Sequence, residues 1–345
     1  MSTENRAAVL HGVDDLRLDE RPIPTPAADE VLIAIGAVGI CGSDVHYLKH
    51  GRIGPFVVEA PMVLGHESGG TVVEVGASVT SLKEGDRVAI EPGVPCRRCT
   101  FCKTGRYNLC AGVRFLATPP IDGSMAGYIV HAADFCYRLP DAVGLEEAAM
   151  LEPLSVGIHA CRRGGVGVGS KVLVTGAGPI GLTSLLAARA AGADYVAVTD
   201  PVEGRLAHAS RVGANATANP GSGDAVQELA QEAGGFDVSI DCSGAESAVS
   251  DAISATRSGG KVVLVGLGAD RLTLPIVESA TREVDLLGVF RYANTYPTAL
   301  SMVASGRADV AALITDRYPL TEVQEAFDMA GAASGETIKV MVEVS

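Results

Sequence analysis

One stretch restricts the fold more than any other: an apolar run from Lys171 to Thr175, then Gly176-Ala177-Gly178-Pro179-Ile180-Gly181, then a second apolar run to Ala191. The first run reads as a buried strand, the glycine-rich piece as its turn, and residues 180–191 as an apolar helix. Residues 195–199 form the next β-like run and lead into Asp200, nineteen residues beyond Gly181. A strand that feeds a helix through Gly-x-Gly-x-x-Gly, with an acid at that distance, is the fingerprint of a dinucleotide site in a doubly wound parallel sheet. The glycines let the backbone approach a pyrophosphate, and the helix N-terminus faces its charge. Asp200 can accept hydrogen bonds from the adenosine ribose and repels a 2′-phosphate, so NAD is the expected cofactor.

The alternation continues downstream. β-like residues 236–242, a helix over 245–256, and β-like residues 261–266 and 283–290 extend the sheet. The uncharged run 172–188 approaches membrane-spanning length, but Gly176, Gly178, Pro179 and Gly181 interrupt it, and a strand, turn and buried helix account for it better.

Upstream the texture differs. β-like runs at 31–38, 70–75 and 87–91 are separated by Gly, Pro and charged turns, which predicts an irregular, mostly β domain. With 345 residues, 47% of them hydrophobic, the chain can bury two such domains. The final fifty residues return to mixed character and are expected to rejoin the first domain.

Within the β-rich part, Cys96, Cys99, Cys102 and Cys110 form a C-x2-C-x2-C-x7-C cluster. Four thiolates can close the shell of one tetrahedral zinc, the structural type of site. An iron–sulfur cluster also takes four cysteines, but zinc fits better beside a second candidate site. That site draws on Gly39-Ile40-Cys41-Gly42-Ser43-Asp44-Val45-His46-Tyr47 and on Gly65-His66-Glu67. A reactive zinc wants three protein ligands and one open position, and Cys41, His66 and either Glu67 or the later Glu152 fill that order. Cys136, Cys161 and Cys242 lack such company and read as packing residues.

The balance of 27 basic against 41 acidic residues argues against nucleic acid or an anionic membrane as partner. The longest apolar run before Leu18 is Ala7 to Leu10, too short for a signal peptide, so a cytoplasmic location is expected.

With these motifs in this order, the chain resembles the zinc-dependent medium-chain dehydrogenases over nearly its whole length, and within them the polyol branch of sorbitol and xylitol dehydrogenases. The branch is carried by the two stretches around Cys41 and His66, Phe115 with Ala117-Thr118-Pro119-Pro120, Leu151-Glu152-Pro153-Leu154, and Gly288-Val289-Phe290-Arg291-Tyr292. The resemblance implies an α/β protein: a GroES-like catalytic domain from residues 1–154 and 292–345, a Rossmann domain from 155–291, and an active-site cleft where they meet. It implies Cys41, His66 and Glu67 as zinc ligands with Glu152 beside the metal and its water, the division of labour between Glu67 and Glu152 staying open. It implies two zinc ions per chain. Ser43 and His46 match a proton path to solvent through the cofactor ribose. Tyr47, Phe115, Thr118, Glu152, Arg291 and Tyr292 match substrate positions, and Arg205, Val265, Gly266, Leu267, Val289, Phe290 and Arg291 join the glycine-rich turn as cofactor positions.

The implied activity is the NAD-linked oxidation of a polyol to a ketose, in a homotetramer by analogy with the family. Two rivals are a butanediol or threonine dehydrogenase of the same superfamily and a nucleotide-binding protein without catalysis. Phe290-Arg291-Tyr292 favours polyols over the first, and the retained Cys41, His66, Glu67 and Glu152 speak against the second.

Overall fold

The computed structural model of the protein describes residues 4–332 and 334–344. The chain divides into two compact units, one from residues 1–152, 296–304 and 314–345 and the other from 153–295 and 305–313.

The first unit is built on a seven-stranded sheet. Its centre is the strand Glu30–Gly39, flanked by Glu67–Val75 on one side and the last strand, Lys339–Glu343, on the other, with Tyr128–Ala132 also paired to it. Glu30–Gly39 is apolar at nearly every second position or better, and Val31, Ile33, Ile35 and Val38 are fully buried. Those side chains join Leu10, Leu64, Ile90, Met125 and Phe327 in one core. The helix Gly42–His50 follows the central strand directly, so whatever the strand end and helix start carry is held by that core.

The second unit contains a six-stranded sheet, parallel throughout. Its order is Ala216–Ala218, Tyr195–Thr199, Lys171–Thr175, Phe236–Asp241, Thr256–Leu264, Asp285–Gly288. In chain order that is 3-2-1-4-5-6, which turns back between the first and fourth strands, the place where doubly wound sheets bind ligands. Val172, Leu173, Val174, Val196, Ala197 and Val198 are fully buried, as strands covered on both faces must be.

Boundaries shift by one to five residues for identifiable reasons. The helix after the glycine turn runs Pro179–Ala190, starting one residue earlier than expected, because proline at its first position has no N–H to leave unpaired. The fifth strand begins at Thr256 and ends at Leu264, whereas the sequence predicts 261–266. Its glycine pair, Gly259-Gly260, lies inside the strand as an irregularity in register rather than before it as a turn. The sixth is confined to Asp285–Gly288, because Glu283 is left-handed and stands outside the strand. Among the described residues no helix is long and apolar enough to cross a membrane.

One buried titratable group makes the first unit acid-sensitive. His131, 5% exposed, donates Nε2–H to the carbonyl of Glu91 at 2.9 Å, and burial pushes its imidazole down to about 4. Between pH 6.5 and 4 the unfolded chain therefore binds a proton that the folded chain refuses, so stability present above that window is lost as pH falls through it. The shift corresponds to about 3 kcal/mol. Urea unfolding followed at pH 7 and pH 4.5 should show His131→Gln losing less stability on acidification than the parent; parallel curves would assign the acid sensitivity elsewhere.

Candidate active site

Cys41 caps the helix Gly42–His50 in an extended conformation, and the Asp44 side chain reaches back to the Cys41 N–H at 3.1 Å. The same carboxylate accepts the Gly65 N–H at 3.1 Å, which fastens the His66 segment to the helix start. Asp44 is fully buried, and its Oδ1 stands 3.7 Å from His66 Nδ1, an electrostatic contact that orients the ring. Burial disfavours both charges, yet the His66 imidazolium pulls the Asp44 carboxyl below its usual range, and Asp44 with Cys41 holds the imidazole well above its own.

Glu67 opens the strand that pairs with the central one, opposite Gly39. A Cβ at Gly39 would sit 2.2 Å from Glu67 Oε2, so only glycine leaves room for that carboxylate. Here Cys41, His66 and Glu67 each bring a sulfur, nitrogen or oxygen to within 4.8 Å of the others. Soft thiolate, imidazole and carboxylate at one point are the donor set of a zinc with an open position, and the set fits.

Lys339, a residue that motif reading missed, lies behind Glu67. It is 2% exposed and donates to Glu67 Oε1 at 2.8 Å, Glu67 Oε2 at 2.7 Å and the Ile40 carbonyl at 3.0 Å. All three ammonium protons are thereby used, while each Glu67 oxygen keeps a lone pair for another partner. Burial works against the Lys339 charge, but Glu67, then Cys41 and more weakly Glu152, outweigh it and hold the ammonium above its ordinary range. A signal existed: Lys339 is the only charge in the apolar run from Ile338 to Val342, and a lone charge in a buried strand needs a partner.

Glu152 is 6% exposed in the same unit. Ser43, His46 and Tyr47 ride on the helix after Cys41, with Tyr47 buried and His46 exposed. Phe115 packs its ring 5.7 Å from that of His66, and the Thr118 N–H donates to the Phe115 carbonyl at 3.1 Å.

The four clustered cysteines also converge, with ligand atoms within 4.8 Å of one another. Cys99 and Cys102 sulfurs are 3.4 Å apart and those of Cys96 and Cys102 3.9 Å. Zinc–sulfur bonds of about 2.3 Å give a tetrahedral edge of roughly 3.8 Å, so the cluster suits that ion. Backbone N–H groups of Arg98 and Cys99 draw the Cys96 thiol down to about 6, while burial and neighbouring sulfurs push Cys102 up to about 12. Tyr107, inside the segment, donates to Glu91 Oε1 at 2.7 Å, and Tyr137 of the sheet donates to Oε2 at 2.8 Å, which ties segment to sheet.

In the second unit the three glycines of the turn divide their labour. A Cβ on Gly181 would fall 1.7 Å from the Gly176 carbonyl, so the helix could not pack there otherwise, whereas a Cβ on Gly178 would meet nothing within 4 Å. Gly178 therefore faces open space at the N-terminus of Pro179–Ala190, as a phosphate site requires. Asp200, 3% exposed, accepts the Ala177 N–H at 2.8 Å and the Val202 N–H at 2.9 Å, with Arg205 4.0 Å away. It braces the turn as well as ending the strand, and two lone pairs remain.

Asp241, also missed by the motif reading, does the same on the other side of the strand Lys171–Thr175. It accepts from the hydroxyls of Thr175 and Ser243 at 2.8 and 2.7 Å and from the Gly244 N–H at 3.0 Å. The N–H groups of Val265 and Gly266 donate to its carbonyl, and Leu267 is 82% exposed. The Val289 N–H donates to the Leu264 carbonyl at 3.0 Å. Arg291 has a left-handed backbone and lays its guanidinium 4.9 Å from the Phe290 ring centroid, and Tyr292 is buried.

Comparison with known proteins identifies the family. Residues 27–141 match the alcohol dehydrogenase GroES-like domain and residues 179–305 the zinc-binding dehydrogenase domain. The chain is 54% identical over 345 residues to a sorbitol dehydrogenase of Bos taurus, covering 99% of this chain and 96% of that one. Among solved structures, an oxidoreductase/dehydrogenase of unknown specificity from Escherichia coli aligns with a TM-score of 0.95 at 38% identity, covering 99% of each chain. L-idonate 5-dehydrogenase of Escherichia coli aligns with a TM-score of 0.93 at 32% identity, over 99% of this chain and 98% of that one. On these grounds the chain belongs to the zinc-dependent medium-chain dehydrogenases, in their polyol dehydrogenase branch.

Proposed function

We propose that the protein oxidises a sugar alcohol of the xylitol or sorbitol class to the ketose, reversibly, with NAD as hydride acceptor. The observation that carries the reading is the convergence of Cys41, His66 and Glu67, with Lys339 balancing Glu67 from behind. Zinc held by those three residues supplies a Lewis acid that lowers the pKa of a substrate hydroxyl. Asp44 keeps the His66 ring oriented, and Glu152 adds a carboxylate whose charge reaches Lys339. Ser43 and His46 carry the hydroxyl proton outward, a role that suits the exposure of His46. Tyr47, Phe115, Thr118, Arg291 and Tyr292 contact the substrate, with the Arg291 guanidinium as a donor to its hydroxyls.

Asp200, Arg205, the turn from Gly176 to Gly181, Val265 to Leu267 and Val289 to Arg291 hold the cofactor. Cys96, Cys99, Cys102 and Cys110 hold a second, structural zinc, which makes two per chain. A homotetramer is the assembly proposed by analogy with the family. Full-length similarity to a sorbitol dehydrogenase supports a polyol over butanediol or threonine.

A panel of xylitol, sorbitol, ribitol, butanediol and threonine, each with NAD and NADP, tests the reading. Polyols with NAD should be turned over fastest, by a wide margin over NADP. Asp200→Ala should narrow that margin mainly by weakening NAD, because the lost carboxylate is both the ribose acceptor and a brace of the turn. Equal turnover with the two cofactors in the parent would refute the role given to Asp200, and butanediol as the best substrate would refute the polyol.

A further inference from the structure

The helix Gly42–His50 carries two histidines four residues apart, His46 and His50, which therefore share one face. Their ring centroids are 4.5 Å apart with the planes inclined at 56°. Both side chains are exposed, and among the described residues neither imidazole nitrogen has a hydrogen-bond or ion-pair partner. Two histidines at this spacing on one helix face are the arrangement by which helices chelate a divalent transition ion. With metal–nitrogen bonds of about 2 Å, two rings can share an ion at a centroid separation on the order of 5 Å, close to that present.

We propose that His46 and His50 form a third metal site, a surface chelate for a divalent transition ion such as Ni2+, Cu2+ or excess Zn2+, with water in the remaining positions. Imidazole ligands select these ions over Mg2+ and Ca2+, which prefer oxygen. The site is separate from the two cysteine-containing clusters, shares no ligand with them, and is open to solvent. An ion there withdraws the His46 nitrogen from proton transfer, so millimolar or lower excess metal inhibits reversibly. This last consequence rests on His46 as the outward proton carrier; the binding itself does not.

The probe is Ni2+, titrated calorimetrically into zinc-loaded enzyme without substrate, alongside the rate of polyol oxidation at each Ni2+ concentration. One extra Ni2+ per chain is expected. His50→Ala, whose activity in the absence of Ni2+ should match the parent, should weaken that binding by a factor of about 100, the order by which two joined contacts exceed one. The inhibition should weaken in parallel. Mg2+ should neither bind there nor inhibit. Ni2+ binding unchanged in His50→Ala would overturn the site. Binding that depends on His50 without inhibition of the parent would retain the chelate and overturn His46 as proton carrier.

Discussion

Cys41→Ser should yield a folded protein that binds NAD and turns over no measurable polyol. The thiolate is the softest of the three converging donors, and a serine hydroxyl is a poor replacement for it at neutral pH. The loss should exceed the 10–100-fold that changes in the groups behind a metal ligand usually cause. Elemental analysis should find zinc falling from two ions per chain to one, because the cysteine cluster at 96–110 is untouched. Cys99→Ser should give the converse: substantial activity in an enzyme with a lower melting temperature, since a closed metal site contributes to folding rather than to chemistry. Parent-rate turnover by Cys41→Ser would end the mechanism. A parent with a single zinc would show that the cysteine cluster carries none.

Lys339→Met should strongly destabilise the first unit while leaving every proposed ligand in place. Lys339 and Glu67 are 2% and 0% exposed, and removing the ammonium strands a carboxylate in the core. Breaking a buried pair from one side costs about 3–5 kcal/mol, and in a domain of this size that lowers the melting temperature by on the order of 10 °C. The cost should be largest without metal. With zinc present the Glu67 charge has a second partner, so the gap between parent and Lys339→Met should shrink, a dependence that a merely structural ion pair would not show. Calorimetric melting of both proteins, zinc-loaded and chelated, measures it. An equal gap in the two states would separate Lys339 from the metal centre.

Much of this is legible in the sequence, and the legible parts share a property. The glycine turn, its strand and helix, and Asp200 lie within thirty residues, and their order alone specifies a nucleotide fold. The four cysteines fall within fifteen residues, and ligands so close in sequence must be close in space. Asp44 lies three residues after Cys41, but nothing in that spacing says that it joins the Cys41 and Gly65 backbones. The start of the fifth strand is hidden in the sequence because Gly259-Gly260 reads as punctuation, and only pairing with the neighbouring strand shows that the chain runs on through it.

Periodicity and short-range spacing therefore determined the alternating strand–helix part, the cofactor turn and the four-cysteine cluster, because each is a property of neighbouring residues, whereas Cys41 and His66-Glu67, twenty-five residues apart, became a ligand set through their residue types and the family resemblance. The tertiary structure alone decided what surrounds those ligands. Glu67 meets Lys339 across 272 residues, and Gly39 clears space for its carboxylate from the adjacent strand. Those contacts follow from the register of three strands in one sheet, and register is set by the summed packing of the whole core, which no local stretch of sequence contains.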